Sequence, residues 1–121
     1  MNYDEFILKL IEGTKSKKIH WEILKNSRNS PFEDYQVFHT QNGDNSLVLR
    51  KYDTFADIYE EVITIEANIT ILNENEKILS EIREDDLNKK ENLMRLYRIV
   101  ERSVNKVDDI LASFVDGINI R

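Results

Sequence analysis

The C-terminal stretch from Asn88 to Gly117 constrains the fold of this chain more than any other segment. Its apolar residues recur at steps of three and four: Leu93, Tyr97, Val100, Val104, Val107, Leu111, Phe114 and Ile118. That spacing holds an apolar stripe on one face of a helix. Glu91 completes a capping-box pattern with Asn88, and a glycine such as Gly117 commonly ends a helix. The pattern predicts one amphipathic helix across the whole stretch.

The predicted helix is long compared with the rest of the molecule. At about 1.5 Å per residue it would measure roughly 42 Å, whereas a domain of this size has a radius of gyration of only about 14 Å. A small sheet would leave part of the stripe uncovered, and a second copy of the chain would cover it. The alternative is a monomer in which the helix bends around the sheet. We predict a homodimer whose interface residues are Tyr97, Val100, Val104, Val107, Leu111 and Phe114.

Length and composition bound the class of protein. The 121 residues suffice for a single domain, residues 1–121, with its own core. The chain has no cysteine, which excludes disulfides and thiolate chemistry. The beginning of the chain lacks a signal-peptide pattern, and no apolar run approaches the roughly 20 residues that span a bilayer. We therefore expect a cytoplasmic protein with no membrane partner.

The charge distribution argues against nucleic acid as a partner. The net charge is −6, and residues 53–91 carry twelve acidic and four basic side chains. Such a segment repels phosphate backbones and anionic membrane surfaces. Arg95, Arg98 and Arg102 could form a local basic patch, but a solvated helix face is the favoured interpretation.

The first half of the chain predicts a short helix followed by strands. Asn2 and Glu5 form a capping-box pattern for a helix from Tyr3 to Glu12, and Gly13 can end it. Alternating apolar residues and turn formers then predict three strands, joined by a loop at Asn26–Phe32 and a tight Asn42-Gly43 turn. These strands are Lys18–Lys25, Asp34–Thr40 and Ser46–Tyr52.

Centring each hairpin on its turn predicts the register of these strands. His20 then lies opposite His39, Trp21 opposite Phe38, and Phe38 opposite Leu47. One face becomes a core: Ile19, Trp21, Ile23, Phe38, Leu47 and Leu49. The other face is mixed: His20, Glu22, Tyr35, Val37, His39, Val48, Arg50 and Tyr52.

The segment from Ile58 to Leu72 is compatible with two structures. Its β-branched residues lose side-chain freedom in a helix, so we predict a strand there after a bend or helical turn at Asp53–Asp57. A turn at residues 73–76 and a last strand from Lys77 to Arg83 follow. The alternative is a second long helix over residues 56–83, because the apolar residues also fit helical spacing.

The mixed sheet face carries the chemistry that the sequence offers. Two imidazoles and a carboxylate at His20, His39 and Glu22 could bind zinc or perform acid–base work. A ligand-contacting face is the stronger hypothesis, and plain solvent-facing surface is the alternative. The predicted ligand-binding residues are His20, Glu22, His39, Arg50 and Tyr52. We assign no catalytic residue, no metal ligand and no cofactor, and interpret Glu84-Asp85-Asp86 as acids that complement a helix start.

The arrangement resembles that of a broad group of small bacterial and phage proteins. The resemblance rests on Phe6-x-x-Lys9-Leu10-Ile11-x-x-Thr14, on Lys18-Ile19-x-Trp21, and on Leu93-x-x-Leu96-Tyr97 with Val107-Asp108 further on. It implies a short helix, a β-meander and a long helix, and so supports strands over residues 60–83. It implies no activity.

Together these patterns predict an α+β fold: a short N-terminal helix, an antiparallel meander of about five strands, and a long C-terminal helix packed on the sheet. The favoured function is a non-enzymatic binding or regulatory protein that acts as a homodimer, for example a phage- or plasmid-type accessory protein that binds a host protein. One alternative is sequestration of a small nucleotide-like signal. The other is a small enzyme or metal site that uses His20, Glu22 and His39.

Overall fold

Five antiparallel strands form one sheet, in which each strand lies beside its neighbour in sequence. The computed structural model describes residues 2–26, 35–57 and 62–119, with the backbone alone at 55–57, 62–63 and 119. One helix precedes the sheet, and a 3₁₀ turn and two helices follow it. The elements are α1 (Tyr3–Lys15), β1 (Glu22–Lys25), β2 (Val37–Asn42), β3 (Asn45–Asp57), β4 (Val62–Leu72), β5 (Ile78–Arg83), the 3₁₀ turn (Glu84–Asp86), α2 (Glu91–Val104) and α3 (Val107–Asn119). The predicted α+β class is confirmed.

The longest pairing in the sheet joins β3 and β4. The strand interpretation is confirmed for Val62–Leu72, and the helical alternative is wrong. β3 also runs through Asp53–Asp57, where we predicted a bend or helical turn, because its backbone pairs with β4 as far as Asp57 opposite Val62. Residues 58–61 lie outside the described part of the chain, as does most of the predicted loop and strand start at 27–34.

The strand registers differ from the predicted ones by two residues. Asn42 pairs with Asn45, so the β2–β3 loop is Gly43-Asp44 rather than Asn42-Gly43. Gly43 has a φ of +63°, which a two-residue hairpin loop requires and glycine adopts without strain. Phe38 consequently faces Leu49, and on the other side Glu22 faces His39. A slip of two residues keeps the paired strand residues on their predicted faces. Tyr35 is the exception: it was predicted on the mixed face, but the Lys51 ammonium lies 4.5 Å from its ring and 4.9 Å from the ring of the core residue Tyr97.

The core lies between one face of the sheet and the helices α1 and α2. Phe38, Leu49, Ile69 and Ile82 of the sheet are completely buried there. Ile7 of α1, together with Leu93, Leu96, Tyr97 and Val100 of α2, covers them. The predicted apolar face is therefore the core, except that Ile23 on the short edge strand stays 36% exposed.

The N-terminal helix begins where the sequence predicts and ends later. The Asn2 side chain accepts a hydrogen bond from the Glu5 N–H at 2.7 Å. Gly13 does not end α1, which continues to Lys15 before Lys17 adopts a φ of +61°. Gly13 is needed for space instead, because a Cβ there would lie 2.6 Å from the Ile19 Cδ1 atom.

A carboxylate from α1 holds the chain at the start of α2. Asp4 accepts hydrogen bonds from the backbone N–H groups of Asn88 and Lys89, at 3.1 and 3.0 Å. These two bonds lower the pKa of Asp4, because they favour its charged form. The predicted cap at Asn88 is wrong, since α2 starts at Glu91.

The predicted single C-terminal helix is divided at Asn105 and Lys106. Lys106 has a φ of +54°, the left-handed conformation that ends helices. The Asn105 side-chain amide donates to the Gln36 Oε1 atom at 2.9 Å and to the Glu101 carbonyl at 2.8 Å. The Asn105 side chain is thus bonded both to Gln36, which precedes β2, and to the last turn of α2. α3 continues past Gly117 to Asn119, so this glycine does not end it.

Candidate functional site

The histidine cluster, which comprises His20, Glu22 and His39, lies at the β1 edge of the sheet face away from the helices. The Glu22 Oε1 atom is 3.7 Å from His20 Nε2, and its Oε2 atom is 3.7 Å from His39 Nε2. The structure therefore brings these three predicted residues together. The His20 and Glu22 side chains are 86% and 65% exposed, so their ionic contacts contribute little stability.

The surroundings of the histidine cluster do not form a metal site. Within residues 2–26, 35–57 and 62–119, no group of three or more histidine or carboxylate side chains is placed to hold a metal ion. Acid–base catalysis needs a substrate held against these groups, and the exposure of His20 and Glu22 places them at open surface. A ligand-contacting role for the cluster stays a prediction.

Arg50 and Tyr52 lie on the same sheet face but belong to a different group of side chains. A shared depression groups Arg50 with Tyr52, Asn68, Glu81 and Arg83, and the histidine cluster does not line it. We call these five side chains the Arg50 group. Arg50 faces Asn68, and Asn68 faces Arg83 on β5. The Tyr52 hydroxyl reaches Glu66 at 3.4 Å. The five predicted ligand-binding residues are thus split between two places.

The Arg50 group surrounds a shallow depression of about 430 Å³. Asn68 donates to Glu81 at 3.2 Å, while its buried Oδ1 atom has no hydrogen-bond partner among the described residues. Near this group, burial and the Glu66 carboxylate raise the pKa of Glu84. The lining combines two arginines with the Glu81 carboxylate.

The predicted interface residues fall into two sets on either side of the helix break. Tyr97 and Val100 are completely buried, and Val104 packs partly buried against the same core. A second copy of the chain cannot reach Tyr97 or Val100 in this arrangement. Leu111 and Phe114 on α3 are instead 50% and 70% exposed. An interface role stays a prediction for the residues of α3.

The apolar face of α3 is the largest exposed apolar feature on any one helix of the described chain. It consists of Ile110, Leu111, Phe114, Val115 and Ile118, each at least half exposed. At 100° per residue these side chains occupy a sector roughly 140° wide. Ile110 and Val115 were not predicted as part of this face, because the predicted stripe follows one line of residues along the helix. Their signal was present in the neighbouring apolar positions one residue before Leu111 and one after Phe114.

Comparison with known proteins adds no assignment to these surfaces. No protein-family model, curated protein or solved structure matches the chain significantly. The helices of the described residues include none that is long and apolar enough to cross a membrane.

Proposed function

We propose that this protein is a non-enzymatic binding protein that acts as a homodimer, formed by pairing the apolar face of α3 with the same face of a second copy. The observation that carries the proposal is the exposure of Ile110, Leu111, Phe114, Val115 and Ile118 within one chain. Exposed apolar side chains arranged on one helix face are typical of interaction sites. As part of the same proposal, the dimer acts in the cytoplasm.

A second copy of the chain is the occupant that fits this helix best. A two-fold axis brings the same patch of both copies together, so an apolar face supplies its own complement. Asp109 and Asp116 lie roughly opposite the apolar face at 100° per residue, and both stay solvated when the faces meet. Asp108 forms an ion pair with Arg102, whose Nη2 atom lies 2.7 Å from the Asp108 carboxylate.

The size of the apolar face sets the strength of the dimer. If each of its five side chains exposes on the order of 100 Å², pairing two copies removes about 1,000 Å² from water. That area is at the lower limit for a specific interface, and association entropy opposes it. We therefore expect a dimer that dissociates in the micromolar range.

Light scattering after gel filtration tests the proposal. At about 100 µM, well above a micromolar dissociation constant, the mass should approach twice 14.4 kDa. Leu111→Ser should shift the mass towards one chain. Leu79→Ser is the matched control, because Leu79 on β5 is 55% exposed against 50% for Leu111. A monomer at this concentration, or equal effects of the two substitutions, would show that α3 does not form a dimer.

A further inference from the structure

A cleft lies between α1, the segment Lys18–His20 and the tip of the β2–β3 hairpin. Its volume is about 600 Å³, within the range of sites that bind small molecules. Asn42 and Asn45 are exposed at its hairpin end. We call it the hairpin cleft.

The floor of the hairpin cleft is apolar. Phe6 and Leu10 of α1, Ile19, and Leu47 of β3 line it. Leu10 is 6% exposed and belongs to the core, against which the other three pack partly buried. The floor is thus continuous with the rigid core and offers a surface for a flat apolar group.

Amide side chains line the hairpin end of the cleft. Asn42 and Asn45 face each other directly across the strands. Within the described part of the chain, these two side chains make no hydrogen bond. The wall behind them is fixed, because the Thr40 hydroxyl donates to the His20 carbonyl at 2.7 Å. The cleft therefore presents free donors and acceptors on a fixed backbone.

The charge of the cleft differs from that of the whole protein. Lys18 lines it, and its described lining includes no carboxylate, although the chain has a net charge of −6; His20, which also lines it, lies 3.7 Å from the Glu22 carboxylate. The Lys18 side chain makes no ion pair with any residue that the structure describes. An ammonium group in the same cleft as amides that have no partner among the described residues favours a ligand that carries a negative charge.

We propose that the hairpin cleft binds a mononucleotide. The base would lie on the apolar floor with its edge towards Asn42 and Asn45, and the phosphate would lie near Lys18. Asparagine and glutamine amides match the donor–acceptor edges of nucleobases, and lysine is a common phosphate-binding residue. This proposal uses neither α3 nor the dimer, so it stands or fails independently of them.

Titration followed by amide NMR spectra tests the proposal. The probes are AMP, GMP, CMP and UMP, each compared with its nucleoside and with inorganic phosphate. At least one mononucleotide should bind with a Kd below about 1 mM and shift the amide signals of Thr40, Asn42 and Leu47. The nucleoside and phosphate alone should each bind at least about tenfold more weakly, because each lacks one part of the recognition.

Two pairs of substitutions decide whether the cleft is responsible. Lys18→Gln should weaken mononucleotide binding about tenfold and leave nucleoside binding unchanged, whereas Lys77→Gln in the β4–β5 connection should change neither. Asn42→Ala should weaken binding, and Asn75→Ala in the same connection should not. Preserved amide spectra verify that each variant folds. The proposal is overturned if no mononucleotide binds, if a nucleoside binds equally well, or if Lys18→Gln and Asn42→Ala have no effect.

Discussion

Two leucines in the predicted C-terminal helix should differ sharply in what they contribute to stability. Leu96 on α2 is completely buried in the core, whereas Leu111 on α3 is 50% exposed. Both are leucines in helices, so Leu96→Ala and Leu111→Ala change the same chemical groups in different surroundings. The comparison tests whether the stripe changes from core to surface at Asn105 and Lys106.

The expected magnitudes follow from burial. Truncating a buried leucine to alanine costs about 2–5 kcal/mol, through lost transfer energy and the cavity that remains. With an unfolding entropy of roughly 0.25 kcal/mol/K for a chain of this length, Leu96→Ala should lower the Tm by about 8–20 °C. Leu111→Ala should change the stability of the single chain by less than about 0.5 kcal/mol, or about 2 °C.

Thermal unfolding at two protein concentrations separates core from interface. The effect of Leu96→Ala should be the same at about 1 µM and about 100 µM, because it acts within one chain. The effect of Leu111→Ala should appear only at the higher concentration, where the proposed dimer forms and stabilises the fold by mass action. A loss above about 2 kcal/mol for Leu111→Ala at the lower concentration would refute the division of the stripe.

Two further predictions concern single polar contacts. The Tyr97 hydroxyl donates to the Gln36 carbonyl at 2.6 Å, so Tyr97→Phe should cost about 1–2 kcal/mol by urea unfolding, while Tyr3→Phe at a 43% exposed position should cost nothing measurable. The fold lowers the pKa of Asp4 from its ordinary value of 3.8. The stability that the Asp4 carboxylate contributes is therefore present above pH 3.8 and is lost as the pH falls through the lower, folded-state pKa. Asp4→Asn should therefore lower the Tm at pH 7, and this difference should shrink below about pH 4; a difference that stays constant with pH would contradict the capping role.

Much of the sheet could be predicted from residue types because alternation is a local property. The period of two assigned Phe38, Leu47 and Leu49 to the core face, and a register error of two residues did not change that assignment. The β-branched residues of Val62–Leu72 favoured a strand, although helical spacing also fitted. The exact pairing escaped prediction, because it depends on which residues of the Asn-Gly turn occupy the loop.

The candidate sites were less predictable, since they require distances between segments. His20, Glu22 and His39 share a face by alternation, and the structure brings them within 3.7 Å contacts. Arg50 and Tyr52 share that face as well, but they line a depression to which the histidine cluster does not contribute. The hairpin cleft was not predicted, because it requires α1, the segment Lys18–His20 and the β2–β3 hairpin to lie side by side.

The C-terminal stretch shows most clearly what each level determines. Steps of three and four are enough to predict an amphipathic helical stripe, since they fix which residues share a face. Tertiary structure decided where the stripe begins and breaks. At its start, Asp4 accepts a hydrogen bond from Asn88, 84 positions away in sequence. At its break, Asn105 donates a hydrogen bond to Gln36, 69 positions away. Only the folded chain brings those groups together. The Asn105 hydrogen bond lies at the break between the buried α2 and α3, whose apolar face stays exposed.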